Sequence, residues 1–258
     1  MSLPYRIALP PEASFEMWRD HARRLLKHGV PPERVEWRVR SAQDDLFAEG
    51  EAVADVAAGA GGTVRRDCLG LLRRILCHTS EDRFALAYRV LWRSLRQPDL
   101  LRVATDPDIA AAGYLARQIR RDVHDMKSYV RFREKRSPGS NMRHFLAWYE
   151  PEHHILELVA PFFSGRFTDM NWLILTPKGS IAQDDAACVV TREVCVRETV
   201  EDETEQLWHT YYRSVFNPAR IKLKAMRSEM PRRLWKNLPE TDLIPEMLVA
   251  AQRRDFVP

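Results

Sequence analysis

The chain has 258 residues, 45% of them hydrophobic and 29% charged, and its 40 lysines and arginines outnumber 36 acids for a net charge of +4. That is enough length to bury a full core, in one large or two small domains, and the composition is that of a soluble globular protein rather than a disordered or fibrous one. No run approaches 18 uninterrupted apolar residues, and the opening MSLPYRIALPPEAS lacks the charged-then-apolar order of a secretion signal, so no membrane is expected and the expected location is the cytoplasm.

Residues 5–9 (YRIAL) read as a strand. Residues 14–28 read as a helix: Ser14 supplies a cap, Phe15, Trp18, Ala22 and Leu25 form the apolar stripe, and Gly29 follows its end. After Pro31-Pro32, Val35, Trp37 and Val39 alternate with Glu36 and Arg38, which predicts a half-buried strand and a β-α-β opening over residues 1–47. Residues 48–62 (AEGEAVADVAAGAGG) lose their large side chains and are expected to form a linker or loop.

From Val64 to Arg136 the pattern is helical. Val64, Cys68, Leu71, Leu72 and Ile75 form one stripe, and Phe84, Tyr88, Leu91 and Leu95 a second. Asp106-Pro107 opens a long third helix, with Leu115, Ile119, Val123, Met126 and Val130 toward the core. About 200° round that helix lie Arg117, Arg121, His124, Ser128, Arg131 and Lys135, with Lys127 nearby. This is a basic stripe, the composition either of a solvated face or of a phosphate-contacting one.

Ser137 to Asn141 is a break. Beyond it, 145–149 reads as a strand, 152–163 as an amphipathic helix started by Pro151, and 172–175 as a short apolar strand at the centre of its sheet. Residues 177–180 form a turn, 181–196 one or two edge strands, and 200–214 a helix capped by Thr199. Residues 63–258 are expected to form one unit, with a helical part over 63–136 and an α+β part over 143–258. The fold class is therefore α+β and helix-rich, with a small mixed or antiparallel sheet and a basic helical C-terminus.

The strongest charge focus is 211–238, YYRSVFNPARIKLKAMRSEMPRRLWKNL. Arg213, Arg220, Lys222, Lys224, Arg227, Arg232, Arg233 and Lys236 face the single acid Glu229, a net of +7 in a chain whose total is +4. Tyr212, Phe216 and Trp235 lie among them, and cations interleaved with flat rings suit phosphate backbones and unstacked bases. The same residues also suit a solvated face over a core of Ile221, Met226 and Met230.

Signals for chemistry are sparser. Glu150/His154 and His153/Glu157 are each four apart, as metal ligands on a helix are, but Pro151 puts Glu150 ahead of the helix, and no metal is assigned. Asp169 and Asn171 precede the buried strand, where polar groups project into clefts, and with His124, His153 and His154 they are the catalytic candidates. There is no Gly-rich phosphate loop, nucleophile elbow or Cys-x-x-Cys, and no cofactor is assigned. The spacing of Cys68, Cys77, Cys188 and Cys195 fits reduced, mostly buried thiols.

Residues 120–134 (RRDVHDMKSYVRFRE), 147–167 (AWYEPEHHILELVAPFFSGRF), 170–177 (MNWLILTP) and 207–240 (LWHTYYRSVFNPARIKLKAMRSEMPRRLWKNLPE) together resemble a bacterial domain of undefined function. That domain occurs fused ahead of uracil-DNA glycosylase-superfamily domains, and as a stand-alone DNA-metabolism or DNA-repair protein encoded beside a radical-SAM protein. The present chain, ending at Pro258, resembles the stand-alone form and lacks the Gly-x-Asp-Pro-Tyr motif of uracil glycosylases. The resemblance implies a DNA-binding accessory in repair or modification, with DNA and a partner such as a radical-SAM protein, and with chemistry supplied by a partner. Two other readings stay open: an enzyme acting on a base or nucleotide through Asp169 and the His153/His154 region, and a protein-binding adaptor. Oligomeric state is not legible.

Overall fold

The structure is a computed structural model that describes residues 5–40, 63–136, 143–183, 187–195 and 232–237. The expected linker at 48–62, the helix at 200–214 and most of the basic stretch, including Tyr212, Arg213, Phe216, Arg220, Lys222, Lys224 and Arg227, lie outside the described residues, as do the side chains of Lys135, Arg232 and Lys236. The described residues form five α-helices and two sheets, an α+β fold. They divide into two compact units, residues 1–123 with 152–155, and residues 124–151 with 156–258.

The first unit opens with β1 (Tyr5–Leu9), α1 (Phe15–Lys27) and β2 (Val35–Val39), and the two strands pair in parallel, Ile7 opposite Trp37. Parallel pairing needs a crossover, and α1 provides it. Its start is fixed by the Ser14 hydroxyl, which accepts from the Met17 backbone N–H at 3.1 Å. Its end is a Schellman turn: Gly29, at φ +63°, donates to the Leu26 carbonyl, and Val30 donates to that of Leu25, each at 3.0 Å. Helices α2 (Arg66–Leu76) and α3 (Arg83–Ser94) complete the core, in which Trp18, Leu25, Leu72, Ile75, Phe84 and Tyr88 are almost fully buried.

Several polar groups in this core have partners, although Trp37 Nε1 and Arg83 Nε are buried with none among the described residues. Trp18 Nε1 donates to the Phe84 carbonyl at 3.2 Å, and the Tyr88 hydroxyl to the Val30 carbonyl at 2.7 Å. Arg83 is 1% exposed, donates to the Ser80 and Pro11 carbonyls at 2.9 and 2.6 Å, and lies 4.1 Å over the Phe84 ring. Burial depresses its guanidinium pKa to about 10.

Helix α4 (Pro107–Tyr129) starts where the Asp-Pro pair predicts. Asp106 accepts from the backbone N–H groups of Asp108 and Ile109 at 3.0 and 3.3 Å, and Arg93 bridges Asp106 and Asp108. The predicted helical pattern to 136 is cut short. Arg131 folds back onto the Ser128 and Val130 carbonyls, and residues 133–136 become β3, antiparallel to β4 (Arg143–Trp148). Phe132 meanwhile packs edge-on against Phe163, Phe167 and Trp172. Strand pairing and this aromatic cluster override the local helical period.

In the second unit the sheet runs in the order β3, β4, β5 (Asn171–Thr176), β6 (Gly179–Gln183), β7 (Cys188–Thr191), with only β4 and β5 parallel. The apolar strand is central, as read from the sequence; β6, expected at an edge, lies between β5 and β7. Gly179, at φ +124°, is required there because a Cβ would stand 2.1 Å from the Thr191 carbonyl oxygen. Helix α5 (Leu156–Arg166) supplies Val159 and Phe163 to the core. It starts four residues later than predicted. All four cysteines are free, but only Cys68 is buried; the other three are half-buried.

Because Tyr88 holds the Val30 carbonyl in a site with no water access, Tyr88→Phe should destabilise the protein by about 1–3 kcal/mol in chemical denaturation with little change in denaturant slope. An unchanged midpoint would show that this hydrogen bond is not needed.

Candidate nucleic-acid interface

Helix α4 carries the described part of the basic surface, and its charges are sorted by side. Ile109, Ala112, Ala116, Ile119 and Met126 form the buried stripe at helical spacing. Two acids fall within that stripe: Asp122, 2% exposed, and Asp125, 7% exposed. Asp122 accepts from the backbone N–H groups of His153 and Glu152 at 2.8 and 3.3 Å. Asp125 accepts a hydrogen bond from Arg233. The helix's third acid, Asp108, is taken up by Arg89 and Arg93 at 2.9 and 2.8 Å.

The outer side of α4 carries arginines and no acid. Arg117, Arg120, Arg121 and His124 are exposed, and the three arginines have no acidic partner among the described residues. Tyr114, 54% exposed, precedes them on the same side with the Arg117 guanidinium 5.9 Å from its ring centroid. From Tyr114 to His124 the helix rises about 15 Å at 1.5 Å per residue. A rod of that kind, bearing guanidinium groups and one flat ring, can place forked donors against phosphate oxygens and a ring against a base.

The remaining predicted binding residues are placed differently. Lys127 is half-buried, its Nζ 4.7 Å over the Phe162 ring. Arg131 turns to backbone carbonyls and Arg233 to Asp125. Trp235 is half-buried in a short 3₁₀ turn beside buried Leu234.

The catalytic candidates are placed as follows. Asp169 is exposed ahead of β5 and makes no hydrogen bond or ion pair with a described residue, and Asn171 is half-buried at the strand's first position. Both belong to the second unit, whereas His153 and His154 belong to the first. His153 Nδ1 accepts from the Thr79 hydroxyl and backbone N–H at 3.1 and 3.4 Å, and the His154 backbone N–H donates to the Cys77 carbonyl at 2.8 Å. These bonds, with those to Asp122, hold 152–155 in a bend, which is why α5 starts late and why His153 and Glu157 share no helix face. Glu157 pairs instead with Arg192, and Glu150 accepts from Trp148 Nε1 at 3.1 Å. Among the described residues no three of His, Cys, Asp and Glu are grouped as metal ligands.

Residues that the sequence did not single out complete this buried polar cluster. His78, 9% exposed, packs against His153 with ring centroids 4.1 Å apart and the ring planes tilted by 31°. Its Nδ1 accepts from the Ser80 backbone N–H at 2.9 Å, so Nε2 carries the proton and donates to Gln118 Oε1. Burial pushes the imidazole below its ordinary pKa; the bond to Gln118 opposes this and the charge of Arg83 adds to it.

These features define an α+β protein whose longest described helix shows an acid-free cationic side, and no helix among the described residues is long and apolar enough to cross a membrane. The chain belongs to a family described as a domain of unknown function, DUF4130, whose model matches residues 81–240. No curated protein and no solved structure matches it.

The buried histidine sets a pH dependence. With its folded pKa below the unfolded value of about 6.5, the unfolded chain takes up the proton first, so stability is unaffected above that pH and falls as pH drops below it. His78→Gln should lower stability at pH 8, by disturbing the hydrogen bonds, yet flatten the loss between about pH 6.5 and 5. Parallel denaturation curves for the two proteins across that window would contradict this.

Proposed function

We propose that this protein binds nucleic acid, most directly DNA, as an accessory in repair or modification, with the chemistry supplied by a partner. The observation that carries the reading is the sorting of charge on α4: its three acids are engaged by Arg89, Arg93, Arg233 and backbone N–H groups, while Arg117, Arg120 and Arg121 stay exposed and unpaired among the described residues. Cations held clear of acids are what a phosphate backbone requires, since a cation already paired would have to give up its partner before releasing a counterion. The composition of 211–238, with eight cations against one acid, supports the same reading.

The resemblance of the motifs at 120–134, 147–167, 170–177 and 207–240 to the domain found with uracil-DNA glycosylase-superfamily proteins supports DNA over RNA, and suggests a radical-SAM protein as the partner.

Affinity for a DNA duplex should fall with salt along a log–log line, and Arg117→Gln and Arg121→Gln should each lower its slope by about 0.9 and weaken all sequences alike. Tyr114→Ala should cost about 1–3 kcal/mol on single strands if a base stacks on that ring. Salt-independent affinity, or slopes unchanged in both arginine variants, would refute the proposal.

A further inference from the structure

The first unit contains a cavity of about 850 Å³ between α1, α2 and α3. Its apolar surface comes from residues such as Trp18, Leu26, Leu69, Leu72, Leu91 and Leu95. Every described charged residue that lines it is a cation: Arg19, Arg23 and Lys27, one turn apart along α1, Arg73 from α2, and Arg96 beyond α3. Among the described residues no acid, amide or hydroxyl side chain lines it.

This lining decides the chemistry of an occupant. Arginine and lysine only donate, so the polar part of the ligand must consist of acceptors, and five cations with no acid call for an anion. The absence of any side-chain acceptor argues against a nucleobase, whose donor edges would go unmet. A bare phosphate would leave the apolar wall uncovered. A volume of about 850 Å³ matches small-molecule sites rather than a docked protein helix.

The cations are largely available. Arg23 and Lys27 have no acidic partner among the described residues. Arg19 and Arg73 meet Asp20 and Glu16 only at 3.6 and 3.9 Å, in exposed pairs of little strength. Arg73 and Arg96 are pre-placed by rings, 4.6 Å over Phe15 and 3.5 Å over Trp92. Arg19 Nε is also buried with no hydrogen-bond partner among the described residues, a donor that an anionic oxygen would satisfy.

We infer that the cavity between α1, α2 and α3 binds a small amphipathic anion, an aliphatic chain bearing one carboxylate or phosphate. The chain covers the leucine wall and the head lies among the arginines.

The test is calorimetric titration of the full chain with dodecanoate, dodecyl phosphate, dodecanol and inorganic phosphate, each kept below its aggregation limit. Saturable one-to-one binding of at least one of the two anions is expected, with dodecanol at least tenfold weaker and inorganic phosphate silent. Whichever anion binds more tightly separates a carboxylate source from a phosphate one. Arg23→Gln with Lys27→Gln, both exposed and so neutral for folding, should weaken the anions at least tenfold, and Leu69→Gln should weaken them as well. Equal binding of dodecanol, binding of phosphate alone with the same affinity, an unchanged affinity in the arginine–lysine variant, or no saturable binding of either anion would each overturn the inference.

Discussion

The buried carboxylate of Asp122 is the constraint on which much of the described structure turns. It sits at a core position of α4, 2% exposed, and a buried polar group there is stabilised by two backbone N–H groups that point at it. Those N–H groups belong to Glu152 and His153, in a segment that rejoins the first unit 29 residues after the chain leaves it at Val123. The Cys77 carbonyl and Thr79 hold the same segment from the other end of the bend. Removing the carboxylate would take this acceptor from the buried His153 N–H, a larger loss than the bond itself is worth.

The same constraint shapes the surface. An α-helix with three acids and four lysines and arginines would ordinarily present a mixed, self-neutralising exterior, with i,i+3 and i,i+4 pairs along it. In α4 the acids are turned inward and used on backbone or on arginines from other elements, so Arg117, Arg120 and Arg121 have no intrahelical acid to pair with. The cavity bounded by α1, α2 and α3 shows a comparable separation of charge with a different companion, an aliphatic wall in place of an exposed tyrosine. One surface suits a polyanion and the other a small anion with an apolar tail.

Where local chemistry decides the backbone, the sequence was legible. Ser14 and Gly29 bracket α1, Asp106-Pro107 starts α4, and the run at Trp172 to Leu175 is a central strand because no polar residue interrupts it. Where long-range contacts decide, it was not. The helical period continues past Tyr129, and only strand pairing with β4 and the packing of Phe132 end it. Glu152 to Ile155 carry a helix-start pattern that bonds to Asp122 and Cys77 cancel. A trace of the buried acids was present, since Asp122 and Asp125 fall within the spacing of Ile119 and Met126, but charge argues for exposure unless the partners are known. The cavity is assembled from three separate elements, and no spacing along the chain announces it.

The account rests on the exposed side of α4 being the surface that meets nucleic acid, and arginine footprinting examines this directly. Phenylglyoxal modification, read by mass spectrometry with and without a DNA duplex, should show Arg117, Arg120 and Arg121 protected by DNA while exposed Arg74 and Arg102 stay reactive. Unchanged reactivity at all three α4 arginines in the presence of bound DNA would contradict it.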